Sequence, residues 1–368
     1  MLNVPRKFPY APGLALTALL LMAASPANAQ RFTRTDLAQD AAGVSATAPN
    51  TDPNLVNPWG LSRSSGSPWW VSDNGTGLST LYNATGVAQS LVVTIDPPAG
   101  GASPSAPTGT VYNYTTSFLV APGKPAIFLF VTEDGTILGW NPGIRPTFAD
   151  VRVDRSHTAV YKGCAIAQTA GGPRFYATNF TTGLVEIFDS TFHRIPLTGT
   201  QFRDTTLPAD FVPFNIQNIG GDLVVTFAHR TPGSKDEDHG PGMGYVAIFD
   251  AQGNFISRLP HGTYFNAPWG VVEAPGDFGV FSHRLLIGNF GDGYISAFDP
   301  ISGTFQGQLQ DNNGAPLWIE GLWALSFGNN ANAGNATDLY FTAGPSDESH
   351  GILGKVTPIA SDQRGNSE

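Results

Sequence analysis

Beyond its first thirty residues the chain has no long apolar stretch at helical spacing. Short runs of β-branched and aromatic residues alternate apolar and polar positions, and Gly, Pro, Asn and Asp punctuate them. The clearest example covers residues 288–299. A β-rich run closes on Asn289-Phe290, Gly291-Asp292-Gly293 reverses the chain, and a second run ends at Phe298-Asp299. The aromatic-polar ending recurs at Tyr82-Asn83, Trp140-Asn141, Phe188-Asp189 and Phe249-Asp250, with a degenerate copy at Lys355-Val356. The spacing is about 48 to 61 residues, near that of propeller blades. A matching run precedes each ending, at residues 70–74, 130–134, 176–180, 225–229, 287–290 and 340–344. Candidate innermost strands lie at 57–61, 108–112, 161–165, 214–218, 266–271 and 318–323, and Asn-Pro-Trp-Gly in the first nearly repeats as Asn-Ala-Pro-Trp-Gly in the fifth.

The pattern predicts an all-β chain: a six-bladed β-propeller of four-stranded antiparallel blades, one domain over residues 30–358. The last copy is too short for a full blade, so residues 32–37 are expected to close the ring as its outer strand. Residues 97–107, 231–242 and 329–335 interrupt the rhythm and read as loops. Residues 359–368 form a polar tail.

Composition adds an address. Arg6 and Lys7, an apolar run from Leu14 to Ala24, and Ala27-Asn28-Ala29 have the layout of a cleaved secretory leader over residues 1–29. A secreted or periplasmic protein is expected, with no membrane span after cleavage. Without the two leader cations, the 19 basic residues fall to 17 against 29 acidic ones, a net charge of −12. That excludes a basic footprint for nucleic acid. Cys164 is the single cysteine, so no intrachain disulfide or multi-cysteine metal site is possible, and its apolar setting predicts a buried small hydrophobe.

Candidate chemistry follows from strand parity. The start of each innermost strand and the turn between its second and third strands share one face. One rim then gathers Asn57, Asp73, Asn74, Glu133, Asp134, Asn179, Asn215, His229, Asn266, Asn289, Asp292, Glu320, Asp347 and His350. Many of these acids and amides suit tight turns for purely structural reasons. Ligand-binding candidates are Asn57, Trp59, Asn215, His229, Asn266, Trp269, Asn289, Glu320 and Trp323, the tryptophans serving first as packing around the channel. Glu320 lies among Trp318, Leu322 and Trp323, where a carboxylate suits a metal ligand or a base. Two runs, Asp236-Glu237-Asp238-His239 and Asp347-Glu348-Ser349-His350, add Asp236, Asp238, His239, Asp347 and His350 as candidate ligands for Ca²⁺ or Mg²⁺, with Zn²⁺ second. No nucleophile elbow, zinc-protease helix, P-loop or dinucleotide fingerprint is present.

Pro58-Trp59-Gly60-Leu61, Pro268-Trp269-Gly270-Val271 and Ile248-Phe249-Asp250 resemble the repeats of NHL and TolB-like six-bladed propellers. Residues 54–61, 286–293, 320–323 and 341–345 resemble more closely an uncharacterised family of exported bacterial propeller proteins, over about residues 32–356. That resemblance implies fold and export but no activity. Regucalcin-type gluconolactonases share the architecture and hold a central divalent cation with Glu, Asn and Asp; Glu320, Asn215 and Asn266 would imitate that set, although the lactonase opening motif is missing. Two functions follow as expectations. One is a monomeric binding or scaffold module that takes a small molecule, glycan or protein at its rim; the other is a metal-dependent hydrolase or lactonase.

Overall fold

The computed structural model describes residues 30–359; the expected leader and the tail beyond residue 359 lie outside that range. Among the described residues the only helix is a 3-10 turn at Gly279–Phe281. The rest is strand, turn and loop.

Six antiparallel meanders of four strands each account for nearly all strands. Their innermost strands are Pro58–Ser62, Pro107–Tyr112, Tyr161–Thr169, Phe211–Ile219, Pro268–Glu273 and Leu322–Phe327. Each of these six touches the next, and the last touches the first, so they line a closed ring. The sixth meander is completed by Phe32–Gln39, which pairs antiparallel with Ile352–Pro358 from Phe32 opposite Pro358 to Gln39 opposite Ile352. This is the closure the short final repeat required. One feature was not expected: the outer strands of blades one and two, Val93–Ile95 and Phe148–Asp154, pair in parallel and join two meanders into one eight-stranded sheet.

The core is divided accordingly. Apolar residues form clusters between adjacent blades, such as Leu129, Val131, Ile166 and Phe175 between blades two and three, and a separate aromatic cluster fills the ring centre. Burying β-strand faces in pairs this way is what holds successive blades together.

Each innermost strand carries a bulge near its start. The bulge positions hold Trp59, Thr108, Lys162, Phe214, Trp269 and Trp323, so the repeat places one side chain per blade at a common level around the channel. Glycine follows in four blades. A Cβ on Gly60 would lie 2.5 Å from the Thr108 carbonyl oxygen, so neighbouring strands approach as closely as they do only because no side chain intervenes. Polar side chains then stitch the blades. Thr108 donates to the Tyr161 carbonyl (2.8 Å), Thr178 to Phe214 (3.0 Å), Asn215 to Trp269 (2.7 Å) and Thr342 to Trp59 (2.6 Å), each reaching the next blade.

Candidate ligand site at the channel mouth

Five of the six ring positions hold aromatic or small polar residues; blade three holds Lys162. Trp59 and Trp323 stack with centroids 3.5 Å apart, Trp269 meets both edge-on, and Phe290 stacks on Trp323 at 3.9 Å. This aromatic layer plugs the channel. Lys162 is 1 % exposed, and its ammonium lies over the Trp59 and Phe180 rings at 4.9 and 5.4 Å.

A buried ammonium needs counter-charges. Lys162 Nζ is 2.7 Å from Glu133 Oε1 and 3.8 Å from both Asp236 Oδ1 and Glu237 Oε2. Glu133 comes from the second hairpin of blade two and Glu237 from the long blade-four loop. Burial alone would raise the Glu133 carboxyl, but Lys162 and the Asn74 amide outweigh it and hold Glu133 below the usual carboxylate range. The same carboxylates outweigh burial at Lys162 and hold it protonated, its affinity for the proton raised above that of a free lysine.

The network continues into blades one and six. Glu133 Oε2 accepts from Asn74 Nδ2 at 3.1 Å, and Asn74 Oδ1 accepts from Asn57 Nδ2 at 3.4 Å. Asn57 Nδ2 also donates to Glu348 Oε2 at 2.6 Å, while Asn57 Oδ1 accepts from Trp323 Nε1 at 3.0 Å. Local backbone geometry makes this possible. Asn57 has φ of 47°, and Ser346, Asp347 and Glu348 are left-handed in succession, a costly run for non-glycine residues that turns Glu348 toward the mouth. Burial, then the carboxylates of Glu237 and Glu133, push the Glu348 carboxyl up to about 7. Glu237, with a 4 % exposed side chain, lies 3.8 Å from His239 Nε2, and that contact raises the affinity of His239 for its proton.

Beside this network opens a cavity of about 230 Å³, walled by His239, Glu320, Asp347 and Glu348 and bordered by Phe290. Carboxylates outnumber cations around it. The mouth can therefore hold a positive group against an aromatic ring, and it can supply a proton from Glu348 near neutral pH.

Most of the residues expected on the rim or as ligands fall into three groups; Asp73, Asp134, Asn179 and Asp292 hold local turns and backbone instead. Asn57, Trp59, Trp323, Glu320, Asp236, His239 and Asp347 meet at or beside the mouth, together with Asn74 and Glu133. Glu320 itself is exposed and accepts from the Ser346 backbone N–H (3.0 Å), so it braces the loop that presents Glu348. Asn215, Trp269, Asn266 and Asn289 are buried connectors. Asn215 stitches blade four to blade five, Trp269 donates to the Lys162 carbonyl, Asn266 accepts from Gly240 N–H, and Asn289 donates to the Tyr264 carbonyl. His229 is held between Asp210 (2.9 Å) and Asp238 (2.6 Å), and His350 is paired with Asp40 (2.9 Å).

Glu320, Asn215 and Asn266 thus serve separate hydrogen bonds, and among the described residues no group of three His, Cys, Asp or Glu side chains is arranged to hold a metal ion. The lactonase-type cation set expected from Glu320, Asn215 and Asn266 does not fit this mouth. Asn266 fails for a simple reason: the extra Ala267 in Asn-Ala-Pro-Trp-Gly puts Ala267, with φ of 45°, where blade one has Asn57, and moves the asparagine one residue back. The important residues missed by sequence reasoning are Lys162, Glu237 and Glu348. Aligning the six bulges would have exposed Lys162 as a cation in an otherwise uncharged ring; no comparable signal singles out Glu237 or Glu348 from the acids beside them.

The fold and its acidic, aromatic-floored mouth define a β-propeller with a ligand-sized opening at one end of the channel. Solved structures agree on the fold. A protein of unknown function from Bacteroides thetaiotaomicron superposes with a TM-score of 0.52 at 9 % identity, over 89 % of this chain and 76 % of that one. Streptogramin B lyase superposes with a TM-score of 0.50 at 11 % identity, over 90 % and 98 %. No family model matches the sequence. The uncharacterized protein R648 of Acanthamoeba polyphaga mimivirus is 31 % identical over 320 residues, 84 % of this chain and 76 % of the viral protein, and the chain belongs to the same family. The relatives found are viral, which corrects the expectation of a bacterial family.

Proposed function

We propose that this protein is an exported, monomeric binding module whose channel mouth captures a small organic cation, a molecule with a primary or quaternary amine. The observation that supports this most directly is Glu348 in a cavity bordered by Phe290, its carboxyl pushed up to about 7 by burial and then by the negative charge of Glu237 and Glu133. An ammonium placed there relieves that repulsion and gains the aromatic ring. Ca²⁺ and Mg²⁺ need a denser oxygen cage than these separated carboxylates supply. Export rests on the leader-like residues 1–29.

The test is calorimetric titration with butylamine, putrescine and tetramethylammonium, with CaCl₂ as a separate arm. An amine should bind above pH 7 and weaken below it as Glu348 takes up its proton, and Glu348→Gln should abolish that pH dependence. No amine binding at pH 8, or binding indifferent to both Glu348→Gln and Glu237→Gln, would overturn the reading.

A second reading is a hydrolase or lyase with Glu348 as general acid, favoured by its retained proton near neutral pH. Lys162 does not serve as its nucleophile, because its carboxylate partners keep it charged. Turnover of a lactone and ester panel that Glu348→Gln eliminates would establish this reading over simple binding.

A further inference from the structure

The innermost strands all begin at the acidic mouth and end at the opposite one. There a second cavity of about 280 Å³ is lined by their far halves, including Leu61, Arg63, Tyr114, Ile166, Gln217 and Ser326. Its chemistry is the reverse of the first.

Arg63 sets the character of this cavity. Its Nε donates to the Phe327 carbonyl at 2.6 Å and its guanidinium lies 5.8 Å from the centre of the Trp69 ring, so the group is fixed in place. Among the described residues no carboxylate comes within 4.0 Å of it, and its two Nη atoms have no hydrogen-bond partner. Glu273, which ends the corresponding strand of blade five, does not line the cavity. Every other buried or half-buried cation discussed above has an anionic partner; this one, partly desolvated, has none. A desolvated guanidinium without a counter-ion is an unmet demand for an anion.

The surroundings narrow that anion. The Gln217 side chain is exposed and without a hydrogen bond among the described residues, and the Tyr114 hydroxyl reaches only a 3.5 Å contact with the Ile166 carbonyl. Both are free to turn to a ligand. With a single arginine and only neutral donors beside it, the cavity matches one negative charge, not the two of a phosphate monoester. Tyr114, 55 % exposed, with Leu61 and Ile166, offers flat and aliphatic walls. The planar fork of a guanidinium matches a carboxylate bidentately.

We infer that the mouth opposite the acidic one is a second binding site, which takes a small planar organic acid through a carboxylate on Arg63 with its ring against Tyr114. This site is independent of the amine site and stands if that one fails.

The probe is benzoate, titrated by calorimetry and ligand-observed NMR beside benzamide, which keeps the shape without the charge, and inorganic phosphate. Benzoate should bind, benzamide and Arg63→Gln should each weaken binding by about tenfold or more, and Glu348→Gln should leave it unchanged. Because Arg63 also touches Trp69, thermal melting checks that Arg63→Gln folds. If it does not, Tyr114→Ala and Gln217→Ala, at exposed positions, decide the matter by weakening benzoate severalfold. The inference is overturned by absent benzoate binding, by benzamide binding equally well, by phosphate binding more tightly, or by benzoate binding that survives all the folded variants at this mouth.

Discussion

Replacing Glu348 with glutamine tests the mouth network through stability alone, without any ligand. In the folded protein this carboxyl keeps its proton until about pH 7, whereas the ordinary glutamate value is 4.5. Between those values the folded state binds more protons than the unfolded chain, so stability falls as pH rises through the interval. At about 1.4 kcal/mol for each tenfold change in proton affinity, the displacement is worth about 3 kcal/mol as an upper figure. Glutamine cannot ionise, and its Oε1 still accepts from Asn57 Nδ2. Glu348→Gln should therefore match the wild type near pH 4.5 and exceed it by about 2–3 kcal/mol at pH 8.5. Urea unfolding of both proteins across that range measures the difference, and titrations common to both cancel. A difference that stays flat with pH, or a glutamine variant that becomes relatively less stable as pH rises, would refute the electrostatic argument.

Two further substitutions test the charge network and the close approach of the innermost strands. Lys162→Met removes the buried ammonium from among Glu133, Glu237 and Asp236 and should cost about 3–5 kcal/mol in urea unfolding; adding Glu133→Gln should recover part of it, and a single variant as stable as the wild type would contradict the paired-charge account. Gly60→Ala drives a Cβ to 2.5 Å from the Thr108 carbonyl oxygen and 2.8 Å from the Thr110 nitrogen, both backbone, so a loss of about 1–3 kcal/mol is expected. Gly66→Ala, with nothing within 4 Å, is the control and should melt like the wild type.

The repeat was legible because the same physical need recurs six times. Aromatic-Asp strand ends are a case in point. Asp189 Oδ1 accepts from the Thr191 and His193 backbone N–H groups, and Asp250 does the same for Gln252 and Asn254, so the motif records turn chemistry that any copy requires. Closure by Phe32–Gln39 was legible from a shortage of chain at the other end. Parity was enough to place Asn57, Asn74 and Glu133 on one rim. It could not separate them from Asp73, which is buried on Thr80, or from Asp134, which anchors Ser105 and Ala106 at the end of the proline-rich connection. Which acid of a loop turns inward is a different kind of fact. Glu237 rather than Asp238 is selected by Lys162 in blade three, and Glu348 rather than Asp347 by the left-handed run at 346–348 and by Asn57 in blade one, and neither leaves a local mark on the sequence.

The two mouths differ in charge, and the reason they can do so lies in the ring between them. Trp59 and Trp323 close the channel at 3.5 Å, and the void beneath, lined by Gly60, Gly109, Cys164 and Asn215, measures about 20 Å³, enough for about one water. An apolar seal of this kind prevents bulk water from screening either end through the pore, so Lys162 and its carboxylates are set against each other on one side and Arg63 is left uncompensated on the other. The same seal rules out passage of a ligand from mouth to mouth. In this family member the channel is therefore a scaffold for two separate surfaces. One innermost strand, Pro58–Ser62, ties Asn57 on the acidic side to Arg63 on the basic side, and it is the shortest covalent path between them.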